Sequence, residues 1–260
     1  MTAASEVAPG SAGPMTGTLA HQGLAHEGPA HGCVPHHGAG ESARVQDVIR
    51  AARRTRGFMP DDEGEALLHA ALRAGQAALP GSSPPTFVEI GAWCGKSSLY
   101  LGAAAEATGA VLFSIDHHRG SEENQPGWEH HEADLVDPEL GQIDTLAHWR
   151  RAISGSGLER SVVGVVGDSP TVAARWSHPL AFCFIDGGHG EEPAWADFSG
   201  WSPRVVLGGW LAIHDVFPDP ADGGRPPYEL FCAALVSKEF TEDGACGSLR
   251  VLRRIAPPAR

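Results

Sequence analysis

Positive charge is scarce in this sequence, with 19 lysines and arginines against 32 aspartates and glutamates and a formal net charge of -13 at pH 7. Binding a polyanion draws on clustered basic side chains that displace counterions, so nucleic acids and anionic membranes are excluded as partners. Long apolar runs are missing too: no stretch approaches the roughly 18 to 20 residues of a spanning helix. The N-terminus lacks a basic segment followed by an apolar one, and the expected location is cytoplasmic. The five cysteines, Cys33, Cys94, Cys183, Cys232 and Cys246, are scattered and form no CxxC pair. Neither a disulfide framework nor a zinc site is expected, only reduced thiols. Large apolar side chains are nearly absent from residues 1–42, a tail of Gly, Ala, Pro and His that cannot bury enough surface to offset the entropy of ordering and is expected to be disordered. Within it His21, His26, His31 and His36 recur every five residues. That period suits neither helix nor strand, which favours solvated low-complexity sequence over a metal site.

What is present is one domain's worth of core, 260 residues with 42% hydrophobic content. Val45, Val48, Ile49 and Ala52, then Ala66, Leu67, Leu68, Ala71 and Leu72, fall at helical spacing and predict two amphipathic helices within residues 43–80. Pro60-Asp61-Asp62-Glu63 opens the second, its acids suited to the positive end of the helix dipole. The apolar faces of these helices fit either a homodimer contact or packing on the chain's own sheet. After the Pro-Gly-Ser break at 80–85, apolar runs alternate with helical segments, as βαβ units with a parallel sheet do. Strands are expected at 87–90, 111–115, 162–166, 180–185 and 205–213, with helices around 97–107, 144–154, 171–176, 193–201 and 227–237. Runs at 239–241 and 248–253, separated by Asp243-Gly244, predict a closing hairpin.

Glu89-Ile90-Gly91-Ala92-Trp93-Cys94-Gly95 ends the first core strand and leads into a helix near Lys96-Ser97-Ser98. In a doubly wound sheet the ligand lies outside the carboxyl ends of the strands, and glycines there let it approach the backbone. A cofactor cradle is the expected role, with a plain tight turn as the bland alternative. Gly95-Lys96-Ser97 imitates a phosphate-binding P-loop, but that motif needs glycine where Ile90 stands, and Ala92-Trp93 breaks the GxGxxG fingerprint. Asp116, ending the second strand, stands where an acid commonly accepts hydrogen bonds from a ribose diol. Asp168, after the third, could accept from an adenine amino group or cap the next helix with Ser169.

The segments EIGAWCGKSS, SID, VVGDS, FIDGGH and AIHD resemble successive motifs of class I methyltransferases, over roughly residues 84–254. The resemblance is nearest to the bacterial sugar O-methyltransferases of the macrocin and mycinamicin type. It is similar in layout to the metal-dependent catechol O-methyltransferases and, more loosely, to actinobacterial enzymes that methylate mannosides. It implies an α/β, Rossmann-like class I methyltransferase fold over 84–256: a mostly parallel seven-stranded sheet with an antiparallel terminal hairpin and helices on both faces. It further implies that Glu89, Gly91, Gly95, Ser97, Asp116, Asp168 and Ser169 contact S-adenosylmethionine. In the sugar enzymes the fourth strand ends in Asp-x-x-His, the Asp binding magnesium and the His acting as base, and Asp186-Gly187-Gly188-His189 matches. Their fifth strand supplies two adjacent oxygen ligands. Here the pair is His214-Asp215, a departure that leaves open a nitrogen ligand, a softer metal, or a histidine standing behind the ligands.

Two strand ends thus offer an acid and an imidazole each to one crevice. A sugar hydroxyl has a pKa far above 7, so its proton must leave as the oxygen attacks the methyl, and a positioned base contributes roughly 100- to 10,000-fold. His189 is the candidate base. Asp186 and Asp215, with His214, are the candidate ligands of a divalent metal, expected to be Mg2+, that would acidify and orient the hydroxyl. The bland alternative is capping by both aspartates in a metal-free protein. Loops at 117–143 and 216–228 are expected to shape the acceptor pocket, with His117, His118, Trp128 and Tyr228 as candidate substrate contacts. The expected activity is S-adenosylmethionine-dependent methylation of a hydroxyl on a sugar or glycoside. A metal-independent O- or N-methyltransferase using His189 alone is the first alternative, and a non-catalytic nucleoside-binding module the second. An NAD-dependent oxidoreductase is disfavoured by the broken fingerprint.

Overall fold

The computed structural model of the chain describes residues 42–77, 84–128, 130–188, 190–219 and 222–258. The expected tail, apart from Ser42, and His189 lie outside them. Helices α1 (Ala43–Ala52) and α2 (Asp61–Gln76) precede the alternating core: β1 (Thr86–Ile90), α3 (Lys96–Thr108), β2 (Val111–Asp116), the short β3 (Val136–Asp137) and β4 (Gln142–Ile143), and α4 (Leu146–Gly155). There follow β5 (Val162–Val166), α5 (Ser169–Ala173), β6 (Leu180–Ile185), α6 (Glu191–Trp201), β7 (Val205–Ile213), α7 (Arg225–Val236), β8 (Phe240–Cys246) and β9 (Leu249–Arg254).

The main sheet has seven strands in the order β5-β2-β1-β6-β7-β9-β8. β1, β2, β5, β6 and β7 pair in parallel, and β9 runs antiparallel between β7 and β8. This is the Rossmann-like arrangement expected. The chain winds outward from β1 through β2 to β5, then crosses to β6, so the β1–β6 junction is the switch point at which such sheets bind ligands. β6, Leu-Ala-Phe-Cys-Phe-Ile, is apolar on both faces because both are covered. Phe182 and Phe184 join the core beneath α1 to α4, whereas Cys183 and Ile185 join the core beneath α5 to α7.

The apolar stripes of α1 and α2 are spent inside the chain: Val45, Val48, Ile49, Leu67, Leu68 and Ala71 are buried in one core with Leu99 and Leu101 of α3. That burial explains why α3 is apolar nearly all round, with little amphipathic bias to betray it in sequence. Three expectations need correction. Asp243-Gly244 is not the hairpin turn; both lie inside β8 at a register shift, and the turn is Gly247-Ser248. Arg225 to Tyr228 belong to the first turn of α7 rather than to a loop, since prolines at the first helical positions forfeit no helical hydrogen bond. Finally, Cys94, Cys183 and Cys232 are free thiols but Cys246 is disulfide-bonded, against the expectation of reduced cysteines throughout. Among the described residues no helix is long and apolar enough to cross a membrane.

Candidate active site

The carboxyl ends of β1, β2, β6 and β7 converge at the switch point. β1 hands over to α3 through Gly91 and Gly95, which carry φ of 84° and 98°. At Gly91 any Cβ would overlap the backbone carbonyl of Asp186, so only glycine lets the β1 and β6 ends meet this closely. Asp116 organises the loop between: its Oδ2 accepts from the Ala92 and Trp93 amides, both at 2.8 Å, and its Oδ1 from the His118 amide at 2.7 Å. A carboxylate offers about four lone-pair sites, so Asp116 keeps capacity on Oδ1 for one further donor such as a ribose hydroxyl.

Beneath the loop Glu89 is fully buried. Its Oε2 accepts from the hydroxyls of Ser98 at 2.5 Å and Ser114 at 2.6 Å, and Trp149 Nε1 donates to Ser98 Oγ at 3.0 Å. Oε1 has no partner among the described residues. Burial, opposed by the serine hydroxyls, Ser97 included, pushes the Glu89 carboxyl up to about 7.

At the ends of β6 and β7, Asp186, His214 and Asp215 bring ligand atoms within 4.8 Å of one another. His214 Nδ1 lies 3.1 Å from Asp186 Oδ1 and 3.4 Å from Asp215 Oδ1. On the other side of the ring, Nε2 lies 2.6 Å from Glu63 Oε2. Glu63 comes from the first turn of α2, where the sequence predicts a solvated acid favouring the helix dipole; its long reach to His214 could not be seen from local pattern. Glu63 also accepts from the Ser248 amide at 2.8 Å and the Ser248 hydroxyl at 3.0 Å. Burial disfavours charge on His214, but Asp186, Asp215 and Glu63 outweigh it and hold the imidazolium well above its ordinary pKa. Burial likewise opposes ionisation of Glu63, yet bonds from His214 and Ser248 keep its carboxyl below the usual value. Two carboxylates and an imidazole form a donor set that fits a divalent cation. Even with His214 protonated, three carboxylates against one imidazolium leave a negative excess that a cation would relieve.

Residues 88–216, from within β1 through Val216, match the family described as "Methyltransferase domain". The chain carries a methyltransferase domain. Its fold is shared by solved structures of low sequence identity. An SAH-bound methyltransferase from Podospora anserina superposes with a TM-score of 0.56 at 12% identity, covering 84% of this chain and 90% of that one. The O-methyltransferase of Bacillus cereus in complex with SAH gives 0.54 at 13%, covering 84% and 93%. The O-methyltransferase NovP gives 0.54 at 16%, covering 73% and 79%.

Other anticipated residues of the methyltransferase take varied places. Asp168 caps α5, its Oδ2 accepting from the Thr171 amide at 3.0 Å and hydroxyl at 2.6 Å, and Ser169 Oγ accepts from Trp201 Nε1 at 2.8 Å. Ser97 is buried in the first turn of α3 beside Glu89. His118 is 3% exposed and bonds Thr145 Oγ1 through Nδ1 at 2.8 Å, tying the segment after β2 to α4. His117 is half-exposed, its Nδ1 accepting from the Arg119 amide. Trp128 is exposed, and Tyr228 lies under the Arg225 guanidinium at 4.4 Å. Lys96, which a P-loop would turn to a phosphate, is paired with Asp61 at 2.8 Å. The residues that sequence reasoning missed are Glu63, Ser98, Ser114, Trp149, Asp197 and Ser248. Asp197 of α6 is 4% exposed, with Oδ1 unpartnered among the described residues, and lines a cleft with Asp186, Gly188, His214, Pro227 and Leu230. Burial pushes its carboxyl up to about 6, against a bond from Ser169.

Proposed function

We propose that this methyltransferase uses S-adenosylmethionine and a divalent metal to methylate a hydroxyl of a sugar or glycoside. The observation that carries this reading is the convergence of Asp186, His214 and Asp215 beside the Gly91 turn. S-adenosylmethionine supplies a methyl group on a positively charged sulfonium. The rim that would receive it is acidic, with Asp116, Asp186 and Asp215 at the ends of β2, β6 and β7, which favours a cation over the anionic pyrophosphate of a dinucleotide. Likeness to SAH-bound structures supports the same cofactor. The metal, when bound, supplies polarisation of the acceptor hydroxyl. Asp186 and Asp215 would hold it, and His189, three residues after Asp186 in the chain, would accept the hydroxyl proton.

A second reading, metal-independent transfer, is favoured by one observation: His214 as imidazolium already gives Asp186, Asp215 and Glu63 a counter-charge. The test is transfer from labelled S-adenosylmethionine to a panel of saccharides and simple phenols, with and without chelator, for the parent and His189→Ala. Transfer to saccharides that is lost with chelator and restored by a divalent ion supports the proposal. Undiminished transfer in chelator supports the second reading, and full turnover by His189→Ala removes the assigned base.

A further inference from the structure

Glu63 reaches the strand ends from a helix 151 residues earlier in the chain than His214, and the surrounding structure is shaped to hold it. The β8–β9 turn passes Gly247 at φ 52°, where any Cβ would overlap the Glu63 carboxylate, and the next residue gives Glu63 both its amide and its hydroxyl. The imidazole of His214 is therefore gripped at Nε2, with the whole arrangement about 5% exposed. An imidazole ligates a metal through a nitrogen that carries no proton, and the other nitrogen then bears the proton and needs an acceptor. Glu63 Oε2, 2.6 Å from Nε2, is such an acceptor, and it leaves Nδ1 directed between Asp186 and Asp215.

Resting on the metal-dependent reading above, we infer that His214 is a direct nitrogen ligand through Nδ1 and that Glu63, braced by Ser248, is the positioning residue that sets its tautomer and orientation. The site in consequence prefers divalent ions that accept nitrogen over magnesium. Magnesium favours all-oxygen octahedra, whereas affinity of a mixed nitrogen–oxygen set rises along the series from manganese to cobalt. A histidine in place of an oxygen ligand thus changes which metal the site selects, and Glu63 is what makes the change effective.

The test is metal binding by the full chain, separate from turnover. Mn2+ is titrated by electron paramagnetic resonance, Mg2+ competes for it, and electron spin-echo modulation reads any directly bound nitrogen. The expected results are a 14N coupling on bound Mn2+, at least about tenfold preference for Mn2+ over Mg2+, and loss of both in His214→Asp, which restores an oxygen ligand. Glu63→Leu should weaken Mn2+ binding by about 10- to 100-fold, whereas Glu63→Gln, which keeps a carbonyl acceptor for Nε2–H, should recover most of it; circular dichroism checks that each variant is folded, and Glu63→Gln decides the matter if the leucine variant is not. Bound Mn2+ without nitrogen coupling, or coupling that persists in His214→Asp, overturns the inference while leaving a metal site standing. Failure of the parent to bind Mn2+, Co2+ or Mg2+ at millimolar concentration overturns the metal-dependent reading itself.

Discussion

Replacing Glu89 by Gln isolates the effect of one buried charge beneath the glycine loop. Burial raises the Glu89 carboxyl from 4.5 to about 7, and among the described residues its Oε1 has no partner to stabilise the anion. The folded-state value lies above the unfolded one, so the stability contributed by neutral Glu89 is fully present below about pH 4.5 and is lost as pH rises through about 7. Gln preserves the shape and keeps a carbonyl to accept from Ser98 and Ser114, but it never ionises. Its amide N–H stands where the protonated acid would place its O–H, a cost that does not vary with pH. At about 1.4 kcal/mol per pH unit of difference, ionisation of Glu89 costs under about 1 kcal/mol at about pH 5 and about 3 kcal/mol at about pH 8. The stability of Glu89→Gln relative to the parent should therefore rise by about 2.5 kcal/mol over that interval. Urea unfolding of both proteins, followed by tryptophan fluorescence at closely spaced pH values, measures the difference directly. Asp197 and the other titrating groups occur in both chains and cancel to first order. A difference that stays flat, or falls as pH rises, would refute the assignment of an uncharged Glu89 in the acid range.

Asp186→Asn or Asp215→Asn should each lower metal-supported methyl transfer by about 100-fold or more, since metal polarisation contributes several kcal/mol to such reactions; initial rates at saturating metal check this, and an unchanged rate counts against the ligand assignment. Asp116→Ala strands three backbone amides, those of Ala92, Trp93 and His118, and should cost about 2–4 kcal/mol of stability together with at least tenfold in S-adenosylhomocysteine affinity by calorimetry. Unchanged affinity would show that the loop does not form the cofactor cradle. Trp149→Phe removes the Nε1 bond to Ser98 and also the part of the buried indole that packs on Gly164, and should cost about 2–3 kcal/mol in urea unfolding, with its cofactor affinity close to the parent's.

Six of the seven strands of the sheet were legible because they are short runs rich in apolar residues and bounded by turn residues, and they lie within a residue of where the pattern puts them; β8, Phe-Thr-Glu-Asp-Gly-Ala-Cys, carries no such run and extends well past its expected end. The hairpin turn was misassigned because Asp-Gly is the stronger local turn signal, while Gly247-Ser248 turns where it does to meet Glu63, a contact invisible to local pattern. The β6 and β7 ends were legible as well, since an acid and an imidazole closing an apolar strand are unusual for a purely structural role. What lay hidden is the support behind them. Ser98, Ser114 and Trp149 are ordinary residues on three separate elements, and only the parallel register of β1 with β2 sets Glu89 opposite Ser114. His118 and Asp168 show the converse, their side chains engaged by Thr145 and Thr171 in bonds that a sequence cannot distinguish from ligand contacts.

The cost of this site argues for its occupants. Among the described residues, three of the four non-glycine residues with positive φ, Trp93, His118 and Asp215, follow the ends of β1, β2 and β7. Such conformations cost of order 1–3 kcal/mol each and persist where the surroundings over-determine them. To the same rim the fold adds Glu63, Asp186 and Asp215 around a single imidazole, and beneath it Glu89 and Asp197, both held partly neutral by burial. Strain and like charge gathered at one edge of the sheet destabilise the folded chain by itself. A sulfonium and a divalent ion would each relieve the charge, so the electrostatic logic of the rim and the chemistry of methyl transfer from a cationic donor point to the same pair of ligands. Because each cation would also weaken the field that attracts the other, binding of the two would be coupled, and the spacing between the Gly91 turn and the His214 cluster would set how strongly.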